Sequence, residues 1–493
     1  MNRCLWFLGA MLAVALQAAV QAANQKPLPN VLFIAFDDLN DWVGCLGGHP
    51  QALTPNIDRL ANRGVLFLNA HCQAPLCNPS RASLLCGLRP STTGIHGLVP
   101  GLRDARRTRD VMTLPQAFRR AGWHTATCGK IFHDGSLNPS QRAGEFERWG
   151  PAPGVARPAR PFSTIPNSHP LMDWGPYPAR AADHADAQIA DAAIAALREA
   201  PMDKPFFLAC GFRLPHVPCY APPEWFERFP ESTLRMPSVL TGDRQDTPRF
   251  SWFLHWKLPE PRLSTLQQYG QWQPLVRGYL ASIAFVDAQA GRVLDALAAD
   301  PRATDTWVVL WSDHGYHLGE KDISGKNTLW EPSTRVPLVI AGPEVARGGK
   351  CAEPVELLDL FPTLLDLTGL PAVEGLEGHS LRPQLRDPAT PRPWPAITTH
   401  NQGNHSIRSR DWRYIRYADG TEELYDHRVD PHEWTNVIGR VELVPVRGEH
   451  ARHLPAVDVT AVPGSAQRVL TWDAAARRAT WEGRAIEWSE GEF

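Results

Sequence analysis

Val31-Leu32-Phe33-Ile34-Ala35-Phe36 runs without a polar interruption into Asp37-Asp38. Apolar residues that do not alternate with polar ones read as a strand buried on both faces, the kind that fills parallel sheets. Thr306 to Trp311 repeats the pattern and runs into Ser312-Asp313-His314. Phe206-Phe207-Leu208-Ala209 precedes a loop carrying His216, and His124-Thr125-Ala126-Thr127 precedes Gly129-Lys130. Helical patterns lie between these runs. Val276, Tyr279, Leu280, Ile283, Val286, Ala290, Val293, Leu294 and Leu297 recur at three- and four-residue steps and predict a long helix with one apolar face. Leu357, Leu360, Phe361, Leu364 and Leu365 predict a shorter one. Strands alternating with helices make an α/β fold, a large mostly parallel sheet flanked by helices. Ligands gather at the carboxyl ends of such strands, so the polar residues ending these runs are expected to converge.

The character changes near residue 376. Pro383, Pro388, Pro391, Pro393 and Pro395 read as a connection. Trp412 to Tyr417 and Glu422 to Tyr425 then flank an Asp419-Gly420 turn, a hairpin signal. A second candidate hairpin pairs Val469 to Trp472 with Thr480-Trp481. Residues 23–375 are therefore expected to form the main domain, and 376–493 a C-terminal subdomain with a small antiparallel sheet. Ahead of both, Met1-Asn2-Arg3, the apolar run Leu5 to Val20 and Val20-Gln21-Ala22 read as a signal peptide over residues 1–22. The mature chain is expected to be exported, to the periplasm or the medium, with no membrane span.

The 493 residues are 43% hydrophobic and 21% charged, with a net charge of −2. That is ordinary globular composition, and it leaves no overall basic field to attract nucleic acid. The one dense basic stretch, Arg103, Arg106, Arg107 and Arg109, is interleaved with Asp104 and Asp110 and reads as a solvated loop. Nine cysteines occur without a Cys-x-x-Cys pair, which argues against a thiolate metal site.

Cys77-Asn78-Pro79-Ser80-Arg81, followed by Ala82-Ser83-Leu84-Leu85-Cys86-Gly87, resembles the signature of the sulfatase family, Cys-x-Pro-Ser-Arg with a downstream Leu-Thr-Gly. Cys86 stands where threonine is usual. The resemblance extends over residues 28 to 440 and implies an alkaline-phosphatase-like fold, with 23–375 as its catalytic domain. It also implies that Cys77 is oxidised to formylglycine by a formylglycine-generating or sulfatase-maturating enzyme. Sulfate ester cleavage needs an in-line nucleophile, neutralisation of dispersed negative charge and protonation of the leaving oxygen. Asp37-Asp38 and Asp313-His314 resemble the family's two metal-ligand pairs. With residue 77 as a further ligand, they imply one calcium ion, or magnesium in its place.

Gly129-Lys130-Ile131-Phe132-His133 is similar to the family's Gly-Lys segment. It implies that Lys130 binds a sulfate oxygen and the leaving group, and that His133 takes the proton when sulfate is expelled. His216, within Leu214-Pro215-His216-Val217-Pro218, matches the family's sulfate-contacting histidine, and Lys326 its second lysine. Arg81 would hold the hydrated aldehyde. The three-residue step from Lys130 to His133 resembles iduronate-2-sulfatase-like bacterial members, which often carry lysine where Leu214 stands here. The activity implied is removal of sulfate from a terminal sulfated sugar, a 2-O-sulfated uronic acid foremost. Arg213 and the Arg103 to Arg109 segment are the candidates for its carboxylate, and Trp174 and Trp252 for sugar stacking. Two rivals share the signature: a phosphonate or phosphodiester hydrolase of the same superfamily, and a silent relative that holds sulfated glycans.

Overall fold

The run from Asn30 to Asp37 forms a strand, β1, in which every residue is buried. The computed structural model of the chain describes residues 28–487 with the exception of residue 153. The signal peptide expected over 1–22 lies outside these residues. β1 belongs to an eight-stranded sheet completed by β2 (Val65–His71), β3 (His124–Gly129), β4 (Arg148–Trp149), β5 (Phe206–Pro215), β6 (Thr306–Ser312), β7 (Leu338–Ala341) and β8 (Gly349–Glu356). The spatial order is β8-β2-β7-β6-β1-β5-β3-β4. Neighbours run parallel except β7, which is antiparallel to both β2 and β6.

Successive residues of a strand face opposite sides, and β1 shows what an unbroken apolar run achieves. Leu32, Ile34 and Phe36 enter one core, shared with α2 (Ala185–Glu199) and α3 (Trp272–Ala298). Val31, Phe33 and Ala35 enter the other, shared with α1 (Cys77–Cys86) and α4 (Leu360–Thr368). The long helix expected around 276–297 is α3, and its apolar positions are buried. No helix among the described residues is long and apolar enough to cross a membrane.

The carboxyl ends of β1, β5 and β6 lie side by side. Phe36 pairs with Ser312, and Asp37 pairs with Pro215 after a register shift that follows Ala35. The shift frees the amides of Arg213 and Leu214, and the buried Asp186 of α2 accepts both, at 2.8 and 2.9 Å. Pairing otherwise orphaned backbone donors in this way lets β5 run on to Pro215 and deliver His216.

Beyond residue 395 the chain builds two small antiparallel sheets, where the sequence led us to expect one. The first is β9 (Ala396–Thr399), β10 (His405–Arg408), β11 (Trp412–Arg416) and β12 (Glu422–Asp426), with the expected turn at Asp419-Gly420 and Gly420 at φ +89°. The second is β13 (Leu470–Asp473), β14 (Arg478–Trp481) and β15 (Arg484–Ala485). β9 is joined to the segment just ahead of α1. Thr399 N donates to Gln73 O at 2.8 Å, and Thr398 Oγ1 to Cys72 O at 2.6 Å.

Two expectations change. Trp174 is buried and donates to Gln271 Oε1 at 3.1 Å, so it packs the core and cannot stack on a sugar. The Arg103 stretch is not uniformly solvated. Arg103 turns inward to pair with Glu145 at 2.5 Å and with three backbone carbonyls. The eight cysteines among the described residues are all free.

Candidate active site

Cys77 is the first residue of α1, and all ten residues of that helix are buried. Gly87 closes the helix in the left-handed conformation, φ +71°, where a side chain would be strained. Cys86 Sγ donates to Ser83 O at 3.9 Å, a backbone contact of the kind a threonine hydroxyl makes from that position. The signature residues anchor the helix. Asn78 Nδ2 donates to Gly97 O and Pro100 O, at 3.0 and 2.9 Å. Ser80 Oγ donates to Asp313 O at 2.5 Å. Arg81 Nε donates to Asp313 Oδ2 at 2.8 Å, and Arg81 Nη1 to Lys130 O at 2.5 Å. Arg81 therefore ties the end of β6 to the end of β3.

The Cys77 sulfur sits at the meeting point these anchors create. It lies 3.4 Å from Asp37 Oδ1, 3.2 Å from His314 Nε2 and 3.2 Å from Lys326 Nζ. Lys130 Nζ pairs with Asp37 Oδ2 at 2.5 Å, and Lys326 Nζ with Asp38 Oδ1 at 2.6 Å. Asp38 adopts φ +66°, an uncommon conformation for a residue with a side chain, which typically persists only where the surroundings enforce it. Here Tyr279 Oη of α3 donates to Asp38 O at 2.6 Å and accepts from Asn40 N at 3.1 Å. Sequence periodicity marked Tyr279 only as part of an apolar face. Asp186 carried no signal at all, because a helix-terminal aspartate in front of an alanine-rich helix looks like an ordinary first-turn acid.

Burial raises the Cys77 thiol pKa, but Lys130, Lys326, His314 and a hydrogen bond from His133 outweigh it and hold the thiol well below its ordinary value. Burial and Cys77 push the Asp37 carboxyl up, while Lys130, His216 and Arg81 prevail and hold it well below the usual carboxylate range. Burial disfavours charge on His314, yet Asp313 beside it raises the imidazole to about 9. His133 thus acts on Cys77 and His216 on Asp37. His216 is oriented through its Nδ1, 2.6 Å from Val217 O.

Asp37, Asp38, Cys77 and His314 offer ligand atoms that all lie within 4.8 Å of one another. Asp38 Oδ2 is buried without a hydrogen-bond partner, an arrangement that disfavours the apo carboxylate and suits a cation. Asp313 borders this group. Arg81 takes its Oδ2, while the amides of Asp38 and His314 donate to its Oδ1 at 3.2 and 3.0 Å. Carboxylate oxygens with one imidazole fit a hard divalent cation. The sulfur of residue 77 is the one soft donor, and an oxygen in its place would complete the set.

Residues 29–370 match the family model for sulfatases, well over half of the chain. The chain belongs to the sulfatase family. Residues 319–458 of this sulfatase also match a model described as N-sulphoglucosamine sulphohydrolase, C-terminal. The sulfatase is 39% identical over 439 residues to a sulfatase of Formosa agariphila, with 86% of each chain covered. It is 30% identical over 420 residues to iduronate 2-sulfatase of Homo sapiens, covering 75% of this chain and 74% of that one. Its alkaline-phosphatase-like fold matches the phosphonate monoester hydrolase of Agrobacterium radiobacter with a TM-score of 0.70 at 23% identity, over 86% of this chain and 94% of that one. The sulfatase is a hydrolase acting on sulfate esters.

Proposed function

We propose that this sulfatase is exported and removes sulfate from a terminal acidic sugar, using formylglycine at position 77 and one divalent cation. One observation carries the reading: a buried residue 77 gathered with Asp37, Asp38 and His314, with Lys130 paired to Asp37 and Lys326 to Asp38. Formylglycine supplies what serine cannot, a geminal diol that attacks sulfur through one hydroxyl and releases sulfate through the other. A cation on Asp37, Asp38, His314 and the adjoining Asp313 supplies charge against the sulfate oxygens, calcium being the ion such oxygens favour and magnesium the alternative.

The chain's own groups do the rest. Lys130 and Lys326 face the sulfate oxygens, and Lys130 also stabilises the leaving oxygen. His133, beside residue 77, accepts the proton as sulfate departs, and His216 binds a sulfate oxygen from the β5 side. Arg81 holds the hydrate in place through its fixed contacts to Asp313 and Lys130 O.

Intact mass of the peptide holding residue 77, from a host that matures other sulfatases, is expected to show formylglycine. Unmodified cysteine alone would sink the proposal and leave a sulfated-glycan-binding relative in its place. Treatment with excess EDTA is expected to lower kcat about 1,000-fold, because metal-ion charge contributes several kcal/mol to such transition states. Recovery with magnesium but not calcium would overturn the calcium assignment. Turnover of a phosphonate or phosphodiester above the matching sulfate would favour the rival hydrolase.

The acidic-sugar reading is supported by Arg213, which lines two adjoining cavities, one shared with Lys130 and His133 and the other with His216. Arg213 pairs with Asp134 at 2.5 Å, yet its Nε is buried without a partner. Arg213→Ala is expected to lower kcat/KM for a sulfated uronate about 30-fold or more, and for a neutral sulfated sugar much less. An equal fall on both would rule the uronate out.

A further inference from the structure

A cavity of about 250 Å³ is lined by residues that include His255, Lys257, Glu260, Arg262, Ile323 and Ser324. Ser324 on its wall is two residues ahead of Lys326 in the chain. A bridge of side chains runs between the wall and Asn327. Arg468 Nη2 pairs with Glu260 Oε1 at 2.8 Å, and Arg468 Nη1 donates to Asn327 Oδ1 at 2.5 Å. Gln467 and Arg468 both adopt left-handed backbone conformations, φ +61° and +70°, a strain two successive non-glycine residues accept only when held by their surroundings.

The cations around this cavity are under-compensated. Arg244 is 5% exposed and lies over the rings of Trp252 and Trp330. Its Nη1 is 2.7 Å from His255 Nε2, its Nη2 donates to Ser251 Oγ, and its Nε is buried without a partner. Arg262 Nη1 approaches the same imidazole at Nδ1. A neutral imidazole has one lone pair in its ring plane, so it can accept from one guanidinium and must present N–H to the other. Among the described residues neither Arg244 nor Arg262 forms an ion pair with a carboxylate. Asp322 acts on both only from a distance. Burial and the neighbouring Arg262 push Arg244 down to about 9, and burial pushes Arg262 down to about 10. The buried guanidinium of Arg244 and the half-buried one of Arg262 face one histidine with no carboxylate in ion-pair contact. Glu260 Oε2, buried and unpartnered, lacks a donor.

We propose that this cavity is a second anion subsite, which receives the sulfate or carboxylate of the sugar adjoining the one that loses sulfate. Arg262, Lys257 and His255 bind the anionic group, and Glu260 Oε2 accepts a hydroxyl of the same sugar. An anion here gives Arg262 the acceptor that His255 cannot provide. This assignment rests on the sulfated-sugar reading of the catalytic site.

The test compares the matured, metal-loaded enzyme with its Arg262→Gln variant on three terminally sulfated disaccharides, whose second sugar is neutral, carboxylated or sulfated. A sulfated monosaccharide and an aryl sulfate complete the panel. The wild type is expected to favour an acidic second sugar in kcat/KM, and Arg262→Gln to lower that preference about 10- to 100-fold, chiefly through KM. The acidic arm with the larger loss identifies the anion as carboxylate or sulfate. If Arg262→Gln does not fold, Lys257→Gln, at an exposed position, is expected to lower the same preference. A wild type that cleaves the disaccharides without favouring the acidic ones, or a preference unchanged in the variants, overturns the subsite alone. Turnover of the aryl sulfate but of no sugar sulfate overturns the sugar reading as well.

Discussion

Cys77→Ala is expected to lose about a million-fold in kcat on an aryl sulfate, the scale seen when a covalent nucleophile is deleted from a hydrolase. The fold should survive. Cys77 is a small buried side chain, and its removal leaves Lys326 paired with Asp38 and Lys130 paired with Asp37. Those pairs already balance the centre, so unfolding free energy should move by only about 1 kcal/mol. Cys77→Ser is the informative companion. It keeps an attacking oxygen but has no second hydroxyl, so it should show at most one slow turnover per site followed by a stall. Rapid-quench measurement of released product separates the two variants. Residual turnover by Cys77→Ala within 100-fold of the wild type would mean that residue 77 is not the nucleophile.

Arg413→Leu is expected to destabilise the protein by about 3–5 kcal/mol without touching the chemistry, the cost of leaving buried charges unpaired. Arg413 is completely buried on β11. It pairs with Glu331 and Glu433, and donates to Leu329 O at 3.0 Å and Ser406 Oγ at 2.5 Å. Arg408 and His427 remain as weaker partners, at 3.2 and 2.9 Å. Burial raises the Glu433 carboxyl, but Arg413 and His427 win and hold it at about 2, against 4.5 when unperturbed. A carboxyl lowered in the folded state stabilises the protein above its unfolded pKa, and that contribution is lost as pH falls through the folded value. The wild type should therefore lose stability between about pH 4.5 and 2, and the variant should show a flatter profile there. Urea unfolding across that range reads both effects. A loss below about 1 kcal/mol at neutral pH would refute the account.

Much of this was legible in the residues themselves. β1 and β6 announce themselves because a strand covered on both faces must be apolar at every position. α3 is visible because one face of a helix repeats at a fixed step. The convergence of Asp37-Asp38 with Asp313-His314 follows from parallel neighbours ending at the same edge. Other features leave no local trace. β7 reads Leu338-Val339-Ile340-Ala341, and an apolar run of four does not encode its direction. Asp186 and Tyr279 matter through backbone atoms that only the folded chain brings to them. Arg103 looks solvated because sequence shows its charged neighbours and not Glu145, 42 residues away. Arg468 and Glu260 are 208 residues apart, and nothing near either one points to the other.

That separation also sets a clock. Cys77 is 2% exposed in the finished fold, and every residue of its helix is buried. Some of the residues that enclose it come from the far end of the chain. The backbone from Ala466 to Arg468 lies against the Gly97 to Val99 segment that receives Asn78, and about 390 residues separate Cys77 from Arg468. At about 5–20 residues per second, translation needs roughly 20–80 seconds to cover that distance. For that interval the signature cysteine is already made and its enclosure is not. Any reagent or enzyme that must reach the sulfur from outside meets its best substrate in the growing chain, and a poor one in the completed protein.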